Sequence, residues 1–306
     1  MDQPLFTAHP TQLRCSDGRL LAATWFGPVA TPLAIAVISP AMAVAGSFYR
    51  AFAEWLACRG YAVLCYDYRG IGASRTASTK QETARLRDWA RLDMAAALHA
   101  ADRRRRLAGS VHGKPLALLW IGHSFGGNAL GLVPGYEEKV DAVLGVAAQA
   151  ADWRFWYGRH KLKAWLFFHA MLPVLAHGLG HVPGRLFGSR AQDLPKPAAL
   201  EWAAWGRRRG FMFTDPSLQD ELAYDRFDGP VHLWNVTDDH LFGPAAAVDE
   251  LAQRFSAARV QRHTLAPQAV GLKAIGHFAM FRRELGERLW PLLMAPVEAG
   301  MAFRPR

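Results

Sequence analysis

Short apolar runs alternate along the chain with longer segments whose apolar residues recur at helical spacing. Residues 20–26 and 33–38 read as strands, the second an unbroken apolar run suited to a sheet covered on both faces. Ser47 is placed to cap a helix running to Arg59, with Phe48, Phe52, Trp55 and Leu56 on one stripe and Gly60 as its stop. Residues 61–66 form the next predicted strand, followed by a glycine-punctuated loop, D-Y-R-G-I-G-A-S, at 67–74. One long helix is expected over 80–107, ending in Arg103 to Arg106, four cations that suit the negative end of a helix and a solvated terminus. Strands at 116–121 and 142–147 follow.

The rhythm breaks after Ala151. From Trp153 to about Asp228, aromatic, glycine, proline and basic residues crowd together without β-α alternation. It resumes with a strand at 231–236, a helix at 245–255, a strand at 259–265 and a helix at 278–293. Alternation on both sides of a gap predicts an α/β protein with one doubly wound, mostly parallel sheet. Its core comprises 1–150 and 229–306, with a helical cap inserted at 151–228.

Composition narrows this picture. At 306 residues, 51% hydrophobic and 20% charged, the chain is too apolar to be disordered and long enough to bury a large core without disulfides or metal. Cys15, Cys58 and Cys65 are an odd number without paired spacing. No disulfide framework is expected, a reducing compartment is favoured, and Cys58 and Cys65 read as small buried hydrophobes. Residues 1–12 lack the pattern of a signal peptide. The apolar stretch 164–179 is short for a membrane span and is interrupted by His169, Pro173 and His177, so a cytoplasmic location is expected. His177 and His181 have a metal-pair spacing, but Gly178 and Gly180 disfavour a helix there and no third ligand is evident, so no metal is expected.

The chemistry enters at Gly122-His123-Ser124-Phe125-Gly126-Gly127, directly after a predicted strand and before an apolar helix-like segment. A sharp turn there lifts a serine hydroxyl above the sheet, with glycines allowing strand and helix to approach. A serine needs a base, which in this chain order follows an acid placed after a later strand. His277, in I-G-H-F after the last strand, fits the base. Two acids follow the strand 231–236. Asp239 is preferred because it directly precedes a short apolar loop ending at Pro244, and Asp238 remains the alternative. An oxyanion needs two backbone donors. Phe125 N–H is the first, and the second is sought in Ser39-Pro40-Ala41-Met42. Pro40 has no N–H, so Ala41 is preferred, with Met42 in reserve.

With these motifs the chain resembles the α/β-hydrolase superfamily from end to end. Tyr66-Asp67-Tyr68-Arg69-Gly70-Ile71-Gly72, Gly276-His277-Phe278, Asp193-Leu194-Pro195 and Leu200-Glu201-Trp202 look like a bacterial branch of serine hydrolases near the serine-aminopeptidase-like group. The resemblance implies an α/β-hydrolase fold, a Ser-acid-His triad and ester-type hydrolysis without a cofactor. Two departures stand out: S-P-A-M replaces the usual His-Gly of the oxyanion loop, and Val236 stands where a glycine usually precedes the acid.

Charge shapes the expected substrate. The chain carries +10, and residues 151–210 hold ten basic residues, Arg190 among them, against three acidic ones, leaving +7. Trp153, Phe155, Trp156, Tyr157, Trp165, Phe167 and Phe168 lie among Arg154, Arg159, Lys161 and Lys163. These residues fit the aromatic core of a lid with a solvated basic face. They also fit an apolar acyl pocket with a basic rim, suited to lipid-like esters or to docking on an anionic membrane. The basic balance argues against peptides with free N-termini, and no nucleic-acid motif accompanies the charge. The expected activity is that of a serine hydrolase cleaving an acyl ester through an acyl-enzyme. The alternatives are an acyltransferase on the same triad, or a catalytically idle hydrolase fold serving as a binding module.

Overall fold

Ten strands form two sheets in the computed structural model of the chain, which describes residues 6–109, 115–188 and 191–301. They are β1 (Phe6–Arg14), β2 (Leu20–Pro28), β3 (Ala34–Ser39), β4 (Tyr61–Tyr66), β5 (Ala117–His123), β6 (Ala142–Val146), β7 (His181–Val182), β8 (Leu194–Pro195), β9 (Pro230–Val236) and β10 (Arg259–Leu265). Eight of them make the main sheet, in the order β1-β2-β4-β3-β5-β6-β9-β10. The β1–β2 and β2–β4 pairs are antiparallel and every other pair is parallel. β3, β4, β6 and β9 are buried along their whole length, and the first three read as apolar runs, whereas β9 also buries His232 and Asn235. β1 pairs only with β2 and exposes much of its length, so its sequence carries no clear alternation and does not announce a strand.

Several helices depart from their sequence pattern. The segment after β3 enters through a 3₁₀ turn at Gly46–Tyr49, so the α-helix is Arg50–Cys58 and Ser47 is not its cap. The helix expected from residue 80 begins only at Leu86, after a separate turn at Thr79–Gln81, and passes through a π segment at Trp89–Met94 before running to Gly109. That π turn seats Asp93 in the interior, where its carboxylate binds Arg69 Nε at 2.7 Å and the Arg69 backbone N–H at 2.8 Å. The arginine run does not form a uniformly solvated end. Arg105 is buried between Asp102 and Asp141, and Arg104 lies over the Trp25 ring at 4.3 Å. At the C-terminus two 3₁₀ turns follow Phe278, and the helix is Gly286–Met301. Cys15 and Cys65 are buried, whereas Cys58 closes its helix on the exposed side.

Between β6 and β9 the chain builds mainly helices. Gly158–Leu166, a π segment Phe167–Met171 and Leu172–Leu179 run on continuously, and Lys196–Arg207 packs beside them. The apolar stretch is therefore not interrupted at Pro173. The wide turn just before it accommodates a residue that lacks an N–H and crowds the preceding carbonyls. Gly206 lets this pair of helices meet, because a Cβ there would lie 2.3 Å from the Phe168 ring. His177 and His181 fall in different elements, and His181 faces Asp193 at 3.4 Å. Arg190 lies outside the described residues.

The strand order positions the site. From β3 the chain steps to β4 on one side, then returns to place β5 on the other side of β3. In open parallel sheets a crevice opens at the carboxyl ends of the strands where the order reverses. Here it lies between the ends of β3, at Ser39, and β5, at His123.

Candidate active site

Ser124 occupies that crevice. Its φ of 51° and ψ of −114° put it in a region that costs a non-glycine residue about 1–3 kcal/mol. Its N–H donates to Val146 O at 2.9 Å, and Trp120 Nε1 donates to Gly126 O at 2.9 Å, so neighbours on both sides hold the turn. Two glycines make the close approach possible. A Cβ at Gly122 would lie 2.3 Å from Gly127 Cα, and one at Gly126 would lie 2.1 Å from Ser39 O. The helix that follows is a single turn, Phe125–Asn128.

His277 reaches the crevice on the loop after β10, behind Gly276 at φ 60°. Its Nδ1 donates to Asp239 Oδ2 at 2.6 Å, and both side chains are buried. Asp239 Oδ1 accepts the N–H of Phe242 at 3.1 Å, and a Cβ at Gly243 would stand 2.5 Å from Asp239 Oδ2. The glycine is therefore what lets the loop fold over the carboxylate. Asp238, the alternative acid, does not bond His277. Its two oxygens accept the N–H groups of Ile275 and Gly276, each at 2.9 Å, and so hold the histidine loop by its backbone.

The loop after β3 changes one expectation. Ala41 N–H already donates to Tyr49 Oη at 2.9 Å, which removes it as an oxyanion donor. No acceptor among the described residues takes the N–H of Met42 or of Phe125, and both residues line a cavity of about 40 Å³ together with Ser124 and His277. The loop itself is pinned from below. Tyr68 Oη donates to Pro40 O at 3.0 Å, and Ser39 Oγ lies 2.8 Å from Tyr66 Oη.

Tyr49 and His123 were not singled out by sequence reasoning. Tyr49 Oη, occupied as an acceptor by Ala41, donates to His123 Nδ1 at 2.7 Å, and His123 Nε2 donates to His277 O at 2.9 Å. Full burial, reinforced by the neighbouring His277, holds the His123 imidazole well below its ordinary pKa. The ring is therefore neutral, and its two nitrogens play opposite roles. The signal available in sequence was position alone: His123 immediately precedes the elbow serine, on a strand whose end faces the β3 loop.

The same cavity is lined by Asn128, Gln149, Trp202 and Phe242. Gln149, Trp202 and Phe242 also line a second, apolar cavity of about 280 Å³ beneath the helix 158–179, so the two are neighbours sharing walls. Ala164, Phe167, Phe168 and Met171 supply much of its surface, and Lys163 stands among the lining residues.

Residues 36–285 match the family described as "Alpha/beta hydrolase family". No curated protein matches the sequence. Among solved structures, a soluble variant of monoglyceride lipase from Saccharomyces cerevisiae in complex with a substrate analog is similar, with 13% identity over 97% of this chain and 95% of that one and a TM-score of 0.63. The alpha/beta hydrolase GrgF from Penicillium sp. sh18 is 15% identical over 97% of this chain and 100% of that chain, with a TM-score of 0.58. The esterase domain of a Rhodothermus marinus protein is 20% identical over 96% and 99%, with a TM-score of 0.53. Likeness at these identities concerns the fold.

Proposed function

Given that the chain belongs to the alpha/beta hydrolase family, we propose that it is a serine hydrolase cleaving acyl esters. Ser124 Oγ attacks the acyl carbonyl carbon while His277 Nε2 takes the hydroxyl proton. Asp239 accepts from His277 Nδ1 and so fixes the tautomer that leaves Nε2 free to act as base. The developing oxyanion is met by the N–H groups of Met42 and Phe125. Collapse breaks the ester C–O bond, His277 returns its proton to the departing alkoxide, and an alcohol leaves. Water then attacks the acyl-enzyme by the same route and releases the acid. No step calls for a cofactor.

The observation that carries this reading is the convergence of four separate loops on one small cavity. A strained serine, a histidine bonded to a buried carboxylate and two unclaimed backbone donors meet there. Residues 151–228 act as a cap over the site, and 1–150 with 229–306 as the catalytic core. The adjoining apolar cavity takes the acyl chain, which favours lipid-like esters over short ones. The test is hydrolysis of p-nitrophenyl esters from acetate to decanoate by wild type and Ser124→Ala. Wild type should turn over and prefer a medium chain, with the variant down by at least about a thousandfold. Equal rates in the two proteins would overturn the assignment.

A further inference from the structure

The helix Gly158–Leu179 is 22 residues long and, among the described residues, is the one helix long and apolar enough to cross a membrane, yet only 22% of its most apolar window is buried. Ala164, Phe168, Leu172 and Ala176 are buried at four-residue intervals and face the domain. Two residues out of step, and so on the opposite side, Leu162 and Val174 are 61% and 66% exposed, with Leu166 and Ala170 between them in the same row. An apolar row on the side of a helix away from its own domain is ordinarily covered by other protein or by lipid. This helix is enclosed on one side only. Its buried row is packed against Lys196–Arg207, so the helix cannot leave the domain to span a bilayer without losing that contact.

We propose that this face docks the protein on an anionic lipid surface, with the helix lying in the plane of the interface. Charge selects this occupant. Arg159, Lys161 and Lys163 are exposed on the first two turns around Leu162, and Arg185 is exposed beside Leu186. Basic residues bordering an apolar row, with Trp165 on the same helix, are the composition of an interfacial helix, and each cation near an anionic surface adds about 1 kcal/mol. A second copy of the chain fits less well, because a two-fold contact through this face would set the same cations against one another. The placement also has a consequence for access. Leu166, Leu186 and Leu241 are exposed and at the same time line the cavity of about 280 Å³, so the apolar cavity opens on the face that would meet the lipid. An acyl chain could then pass from the bilayer to the neighbourhood of Ser124 without crossing water.

The test is sedimentation with vesicles of phosphatidylcholine containing a third phosphatidylglycerol, beside pure phosphatidylcholine, using the full chain. Wild type should sediment with the anionic vesicles and be released as NaCl rises from about 0.05 to about 0.5 M. Leu162→Ser with Val174→Ser, and separately Arg159→Gln with Lys161→Gln, should each weaken binding at least about tenfold, with thermal melting unchanged. Ser124→Ala should sediment as wild type does, which separates this proposal from the hydrolytic reading. Wild type remaining in the supernatant, or both paired variants binding as wild type does, would overturn it. So would a dimer by light scattering that Leu162→Ser with Val174→Ser dissociates, since the face would then belong to a second copy.

Discussion

Tyr49 Oη stands 2.7 Å from His123 Nδ1, and through this bond the loop that follows β3 is tied to the loop that carries His277. Ala41 N–H, Tyr49, His123 and the His277 carbonyl form one chain of donors and acceptors, all of them buried. Tyr49→Phe keeps the ring but leaves Ala41 N–H and His123 Nδ1 without partners. Buried groups orphaned in this way cost about 1–3 kcal/mol. Urea denaturation should show that loss. Turnover of a soluble ester should also fall, in kcat more than in KM, because one loop carries the Met42 N–H and the other carries His277. Unchanged kcat would mean the chain of bonds is structural only.

The two neighbouring acids have separate jobs, which mutation should resolve. Asp239→Asn should reduce kcat by about 10³–10⁴-fold with little change in KM, as expected when the histidine loses the partner that fixes its tautomer. Asp238→Asn, acting only through Ile275 and Gly276 N–H, should cost about tenfold or less and lower stability. Steady-state kinetics of the two variants side by side decide the matter.

Two buried histidines give the stability a direction with pH. Burial holds His123 well below its ordinary value of 6.5, and burial aided by the neighbouring His263 pushes His232 down to about 4. Below pH 6.5 the unfolded chain takes up protons that the folded chain refuses, so these groups lower stability as pH falls. For His232 the loss accumulates from about 6.5 down to about 4. Urea midpoints between pH 7.5 and pH 4.5 should decline, and His232→Gln should flatten the decline. A variant with the wild-type slope would show that His232 does not contribute.

The apolar cavity should set chain-length preference. Ala164 lines it from the helix Gly158–Leu166, and Ala164→Phe fills part of the space. The ratio of kcat/KM for a decanoyl over an acetyl ester should fall about tenfold or more, since each methylene seated in an apolar pocket contributes about 1–3 kcal/mol. An unaltered ratio would place the acyl chain elsewhere.

Much of this arrangement was legible in residue order. The buried strands announced themselves as apolar runs because the parallel sheet is covered on both faces, and the elbow because only glycine tolerates those contacts at 122 and 126. What stayed hidden depends on partners distant in sequence. Asp238 and Asp239 are adjacent, and only the fold of 275–277 distinguishes the one that meets a ring from the one that meets backbone. Ala41 and Met42 were separable only through Tyr49, which claims one N–H from the next helical turn. The helix 158–179 was obscured by Pro173, because a π turn that absorbs a proline has no periodic signature.

The most direct measurement is labelling with a fluorophosphonate probe, read by intact mass and peptide mapping on wild type, Ser124→Ala and His277→Ala. A single adduct on the Ser124 peptide of wild type, absent from Ser124→Ala and nearly absent from His277→Ala, is the predicted result. Folded wild type that takes no label, or that takes it at another residue, would contradict the assignment of Ser124 as the nucleophile.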